Sequence, residues 1–140
     1  MKYIKLLLLF AFMTLLQGCP KLDDDDILVG TINIVNDSNE TIYYVCWKVS
    51  ETEINSADIK SLNALSTIEA KKSSDDGCSF YKNQFKGDYN KKIWILIYKQ
   101  STIDSHSWEE IQKQNLYDKR YSFTLDELNA MNWEVIYDGN

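Results

Sequence analysis

Cys46, Cys78, His106 and a set of aromatic side chains are the mid-chain residues of this 140-residue sequence whose types could do chemistry. In an oxidising compartment Cys46 and Cys78 would form one disulfide, closing a loop of about 30 residues and contributing ~3 to 4 kcal/mol. The alternative is two free thiols, one of them buried beside Trp47. Two thiols and one imidazole spread over about 60 residues match no zinc spacing, so no metal ligand is assigned. Asp104-Ser105-His106-Ser107 holds the residue types of a hydrolase triad. A triad, however, needs its imidazole held between nucleophile and carboxylate across the fold, and no Gly-x-Ser-x-Gly elbow accompanies these neighbours. A solvated loop ahead of a helix cap is the expectation for His106. Carboxylates are numerous, but a glycosidase pair needs a deep cleft that ~115 residues of small β-rich domain seldom supply, and no Gly-rich phosphate loop is present. No catalytic residue is assigned, and the expectation is a protein that is not an enzyme. Trp94 and Tyr98 share one face of their segment, as do Tyr43 and Trp47 of theirs. Exposed, the four would form a surface for stacking sugar rings or gripping a protein; buried, they would be core.

The first 26 residues carry a different chemistry. Lys2 and Lys5 make a positive start, and residues 6–16 are apolar apart from Thr14. Eleven helical residues rise only ~17 Å, too short for the ~30 Å hydrocarbon core of a bilayer, so this segment reads as a secretory signal rather than a transmembrane helix. Leu16-Gln17-Gly18-Cys19 follows and resembles the lipobox of bacterial lipoproteins, with Gln17 standing where a shorter residue is usual. The resemblance implies cleavage before Cys19 and a covalent lipid on its thiol; no other cofactor is expected. Each buried CH₂ contributes ~0.8 kcal/mol, so two or three acyl chains hold a soluble domain at the bilayer almost permanently. Asp23, Asp24, Asp25 and Asp26 repel one another and have nothing to bury, which suits an extended, hydrated tether. They lack the alternating ligands and the Gly of a calcium loop. An acidic cluster just behind an acylated Cys resembles the surface-export signal of Bacteroidetes lipoproteins, and implies a place on the outer face of the outer membrane.

The chain therefore divides into a signal (1–18), an acylated Cys with its acidic tether (19–26) and a single domain (27–140). An apolar fraction of 44% and an aromatic fraction of 13% place that domain among folded chains. The 15 basic and 21 acidic residues, less Lys2 and Lys5, leave a net charge of −8. That balance argues against nucleic acid, whose phosphates need clustered Lys and Arg. A basic or neutral partner is easier to accommodate.

Residues 28–35 read as a strand with Leu28, Ile32 and Ile34 on one face, and residues 41–50, rich in β-branched and aromatic side chains, as a second. The polar residues 36–40 suit a chain reversal, so the two are expected to form a hairpin. Ile59, Leu62 and Leu65 recur at spacing three and suit one or two helical turns, with a short strand over 66–71 and a loop over 71–77. Residues 92–99 are apolar on both faces, as in a central strand. Ser107 with Glu110, and Thr124 with Glu127, are capping boxes that open helices running to Gln114 and about Ala130, the second burying Leu125, Leu128 and Met131. Residues 133–137 close the chain as a strand.

Ser107-Trp108-Glu109, then residues 120–128 (Arg-Tyr-Ser-Phe-Thr-Leu-Asp-Glu-Leu), and Asn132-Trp133 with the strand behind them resemble the C-terminal half of a group of small Bacteroidales lipoproteins of unknown function. About 35 residues match well. The resemblance implies a compartment and a β-rich fold but no activity, and this chain ends Tyr137-Asp138-Gly139-Asn140 where those relatives often end Tyr-Pro. The expected fold is mainly β: a small, mostly antiparallel β-sandwich, immunoglobulin-like or transthyretin-like, with two short helices in the C-terminal third. With one Pro and five Gly, an α+β layout is the alternative. The expected function is an outer-membrane lipoprotein, facing the cell exterior, that binds a glycan or a protein. The alternative is an immunity lipoprotein that neutralises a toxin from a competing bacterium.

Overall fold

The computed structural model describes residues 27–50, 53–85 and 91–140, so the expectations for the signal, for Cys19 and for Asp23 to Asp26 lie outside the described residues. Among the described residues eight strands form two sheets, and the fold is a small β-sandwich. In sheet I, β1 (Leu28–Asn36) runs antiparallel to β4 (Lys72–Ser73) and β5 (Cys78–Tyr81) and parallel to β8 (Glu134–Tyr137). Sheet II is antiparallel throughout, in the order β3 (Ser66–Ile68), β2 (Ile42–Ser50), β6 (Lys92–Lys99), β7 (Lys119–Phe123).

Alternation along the strands builds the core between the sheets. Ile32 and Ile34 of β1, Phe80 of β5, and Val135 and Tyr137 of β8 pack with Ile42 and Tyr44 of β2, Ile68 of β3, and Ile93, Ile95 and Ile97 of β6. The complementary residues of β6, Trp94, Leu96 and Tyr98, are buried too, because sheet II carries a second layer on its outer side. Residues flanking two 3-10 turns, Ile54 and Ile59 beside Ser56–Asp58 and Leu65 after Leu62–Ala64, supply the apolar side chains of that layer together with the helices α2 (Gln100–Ser105) and α3 (Trp108–Gln114). A four-residue helix α1 (Lys82–Phe85) follows β5, and α4 (Leu125–Ala130) precedes β8. Both capping boxes form as expected, Glu110 N–H donating to Ser107 Oγ and Glu127 N–H to Thr124 Oγ1.

The expected hairpin of β1 and β2 does not form: the two strands belong to different sheets, and residues 37–41 arch between the layers. Both edges of β1 are occupied elsewhere, since Val35 and Asn36 pair with β4 and β8 at once. The arch is held by Asn36, which is fully buried. Its Nδ2 lies 2.9 Å from the Glu40 carbonyl, 3.1 Å from that of Ile68 and 3.1 Å from that of Glu69, while its Oδ1 accepts from the Ser38 N–H and, at 2.6 Å, from Ser38 Oγ. One amide side chain of sheet I thus satisfies the end of β3 in sheet II. Two further expectations are corrected. The C-terminal third holds three helices rather than two, and Met131 is 36% exposed, while Leu128 is fully buried as expected.

Tyr137 lies in the inner core, 0% exposed, and its hydroxyl has no hydrogen-bond partner among the described residues. Burial, aided by the negative charges of Asp118 and Glu40, pushes the phenol up to about 12 from an ordinary 10.0. Its folded value is raised, so the stability it contributes is fully present below pH 10 and is lost as pH rises towards 12. Tyr137→Phe is expected to leave neutral-pH stability unchanged or slightly higher, since it removes an unsatisfied buried group, and to lessen the loss between those two values. Chemical denaturation of both proteins across the alkaline range measures this; a large neutral-pH loss in the variant would contradict it.

Candidate functional site

The four aromatics that could have formed an exposed surface are brought together, and then covered. Across β2 and β6, Tyr43 pairs with Tyr98 and Trp47 with Trp94. Of the two alternatives, open surface or core, the β6 pair takes the second, since Trp94 is 6% exposed and Tyr98 fully buried, while Tyr43 and Trp47 are half-buried. Ile54, Ile59, Ile103, Ile111, Trp108 and Leu116 close over them. Tyr98 meets Trp108 edge to face with ring centroids 5.7 Å apart and donates its hydroxyl to Ser56 Oγ at 3.1 Å, and Ser56 Oγ donates in turn to the Leu116 carbonyl at 2.6 Å. Tyr43 donates to Gln100 Oε1 at 2.9 Å. The set is a second core whose polar tips tie the helical layer to the sheet.

Arg120 is the residue that sequence reasoning left without a role outside the family resemblance. It stands opposite Leu96 on the outer side of sheet II. Its guanidinium carbon lies 5.6 Å from the Trp94 ring and 5.4 Å from the Tyr117 ring, and Nη2 is 2.9 Å from Glu53 Oε2. Cation and carboxylate are thus matched at the rim of the second core, where two aromatic faces hold the guanidinium plane. Arg120 in β7, alternating with Tyr121 towards the inner side, was the available signal.

Cys46 and Cys78 are joined, with sulfurs 2.01 Å apart and Cα atoms 6.2 Å apart. The bond links β2 of sheet II to β5 of sheet I and so staples the sandwich across its core. Among the alternatives left open by the sequence, the structure shows the disulfide.

The remaining candidates are engaged locally. His106 is exposed, its Nδ1 3.2 Å from the Thr102 carbonyl at the end of α2. Asp104 accepts from Gln100 Nε2, Ser105 Oγ donates to the Ser101 carbonyl, and Ser107 Oγ donates to Glu110, so the three residue types of a triad each face a different partner. Glu110 and Glu127 are held below the ordinary carboxylate range by the backbone N–H groups of Ser107 and Thr124 that they cap, and Glu40 by the N–H of Ser101. A general acid requires a shift the other way. No group of three or more His, Cys, Asp or Glu positioned to hold a metal ion occurs among the described residues. Among the described residues open concavities lie along α3, one of about 510 Å³ lined by Ser107, Glu109, Glu110 and Lys113 and one of about 390 Å³ lined by Ala57, Glu109, Gln112 and Lys113, and between β3 and β4, of about 270 Å³.

Asn132 and Trp133, singled out in the resemblance, serve the fold. Both have positive φ, 53° and 60°. Trp133 N–H reaches back to the Leu128 carbonyl to end α4, its carbonyl accepts from Asn33 N–H to start the parallel pairing with β1, and its indole lies over Gly30. A Cβ at position 30 would stand 2.2 Å from that indole, which is why the strand carries a glycine there.

No family model matches the chain, and neither a curated protein nor a solved structure is similar to it.

Proposed function

We propose that the protein is a lipoprotein of the outer membrane, anchored by acyl chains on Cys19 and carried to the cell exterior, whose sandwich domain binds a partner there without catalysing a reaction. The observation that carries this reading is the Cys46–Cys78 disulfide. A cross-sheet staple of this kind persists in an oxidising environment, which agrees with a charged start, an apolar segment and a lipobox-like Leu16-Gln17-Gly18-Cys19. The engagement of His106, Asp104, Ser105 and Ser107 with separate local partners, and carboxylates held charged in helix caps, support binding over catalysis. Burial of Trp94 and Tyr98 takes two of the four aromatics out of a sugar-stacking surface and favours a protein partner over a glycan. The net charge of −8 for the chain behind the signal favours a basic one, the property that an immunity lipoprotein for a basic toxin would also need.

Metabolic labelling with a clickable palmitate analogue tests the anchor. The wild-type chain is expected to carry the label and sediment with the outer membrane, and Cys19→Ala to lose the label and that association. An unlabelled wild type would sink the reading. The immunity alternative is tested by co-culture with a toxin-secreting competitor: a strain deleted for this chain must die where the parent survives, and equal survival removes it.

A further inference from the structure

Among the described residues five large apolar side chains stand exposed, and three of them gather at one end of sheet I: Ile27, Leu28 and Tyr81, at 45%, 53% and 41% exposure. Leu28 and Tyr81 face each other across β1 and β5, and the Lys82 N–H donates to the Ile27 carbonyl at 2.9 Å, closing that end of the sheet. This is where the chain from Cys19 enters the domain. Seven residues separate Cys19 from Ile27, so the reach between them is at most about 29 Å even when fully extended. We infer that this end of the sandwich rests on the lipid bilayer to which Cys19 ties the chain, with Ile27, Leu28 and Tyr81 in the interface.

The inference rests on the proposed acylation and adds the orientation of the domain to it. A patch joined to its own anchor by so short a segment meets the bilayer at high effective concentration, so three side chains suffice where they would not hold a free protein. Their chemistry fits the boundary: two aliphatic groups to enter it, and a tyrosine, apolar in body and polar at its tip, to sit at headgroup level. Asp23 to Asp26 lie in the connecting sequence and weaken contact with an anionic surface, so zwitterionic vesicles isolate the contribution of the apolar patch.

The test uses the full acylated chain in vesicles of phosphatidylcholine and phosphatidylethanolamine, carrying a polarity-sensitive fluorophore on Leu28→Cys or, as control, on Gln114→Cys, an exposed position at the end of α3. Quenching by aqueous iodide is compared with the same labelled domain made without Cys19. The expected result is quenching at position 28 roughly halved on vesicles, with position 114 unchanged. Equal quenching at position 28 in both forms, on protein that floats with the vesicles, overturns the inference while leaving the anchor intact. A full chain that does not float with vesicles overturns both.

Discussion

Replacing Cys46 and Cys78 together by alanine is expected to destabilise the domain by ~3 to 4 kcal/mol, and to lower its melting temperature by about 15 °C. The cysteines are 32 residues apart in sequence, and the cross-link removes from the unfolded chain the freedom of a loop of that length. The position of the bond adds to the argument. It joins β2 and β5, which belong to different sheets and share no backbone pairing, so the core of Ile32, Ile34, Ile95 and Ile97 lies between two layers that the chain otherwise connects only through its arches. Urea denaturation of the oxidised protein, the reduced protein and the double variant measures the effect. The reduced protein and the variant should share a midpoint well below the oxidised one. A midpoint unmoved by either change would mean that the two sheets hold together without the staple.

Asn36→Ala is expected to cost about 3 kcal/mol, several times more than its neighbour Asn39→Ala, which should stay within about 0.5 kcal/mol. Asn36 is fully buried and serves the carbonyls of Glu40, Ile68 and Glu69 with its amide nitrogen and two groups of Ser38 with its oxygen. Truncation leaves those carbonyls and the Ser38 hydroxyl short of partners in a place water reaches poorly, and that desolvation rather than the lost bonds sets the size of the effect. Asn39 is exposed in the same arch. Denaturation midpoints of the two variants, with the slope held equal, decide it. Equal, small effects would mean that the crossing between sheets is fixed by the strands alone.

Local signals in the sequence survived folding, and signals that depend on distant partners did not. Ser107 with Glu110 and Thr124 with Glu127 were readable because a capping box is complete within four residues. Residues 92–99 were readable as a two-faced strand because β6 is covered on both sides, Ile93, Ile95 and Ile97 inward and Trp94, Leu96 and Tyr98 outward. The polar residues 36–40 were misread as a hairpin turn because Asn, Asp and Ser satisfy a reversal and an arch equally well; what decides between them is that β4 and β8 claim the edges of β1. The four aromatics were legible as a group but not as buried, since their cover comes from the weakest segments of the chain. Residues 56–58 and 62–64 fold as two separate 3-10 turns, and of the three residues at spacing three only Leu62 lies in one, Ile59 and Leu65 being extended residues that end the turns. α2, Gln-Ser-Thr-Ile-Asp-Ser, has low intrinsic helicity and a single apolar residue, Ile103, turned to the core.

The disulfide and the lipobox-like segment support the proposal that this domain works outside the cell on a lipid anchor. Protease shaving of intact cells tests it most directly, on the wild type and on a variant with Asp23, Asp24, Asp25 and Asp26 all replaced by alanine, each carrying the acyl label. The expected result is that the wild-type domain is removed by protease while the variant, still acylated, is protected inside the envelope; protection of both would contradict the account and place the protein on the periplasmic face.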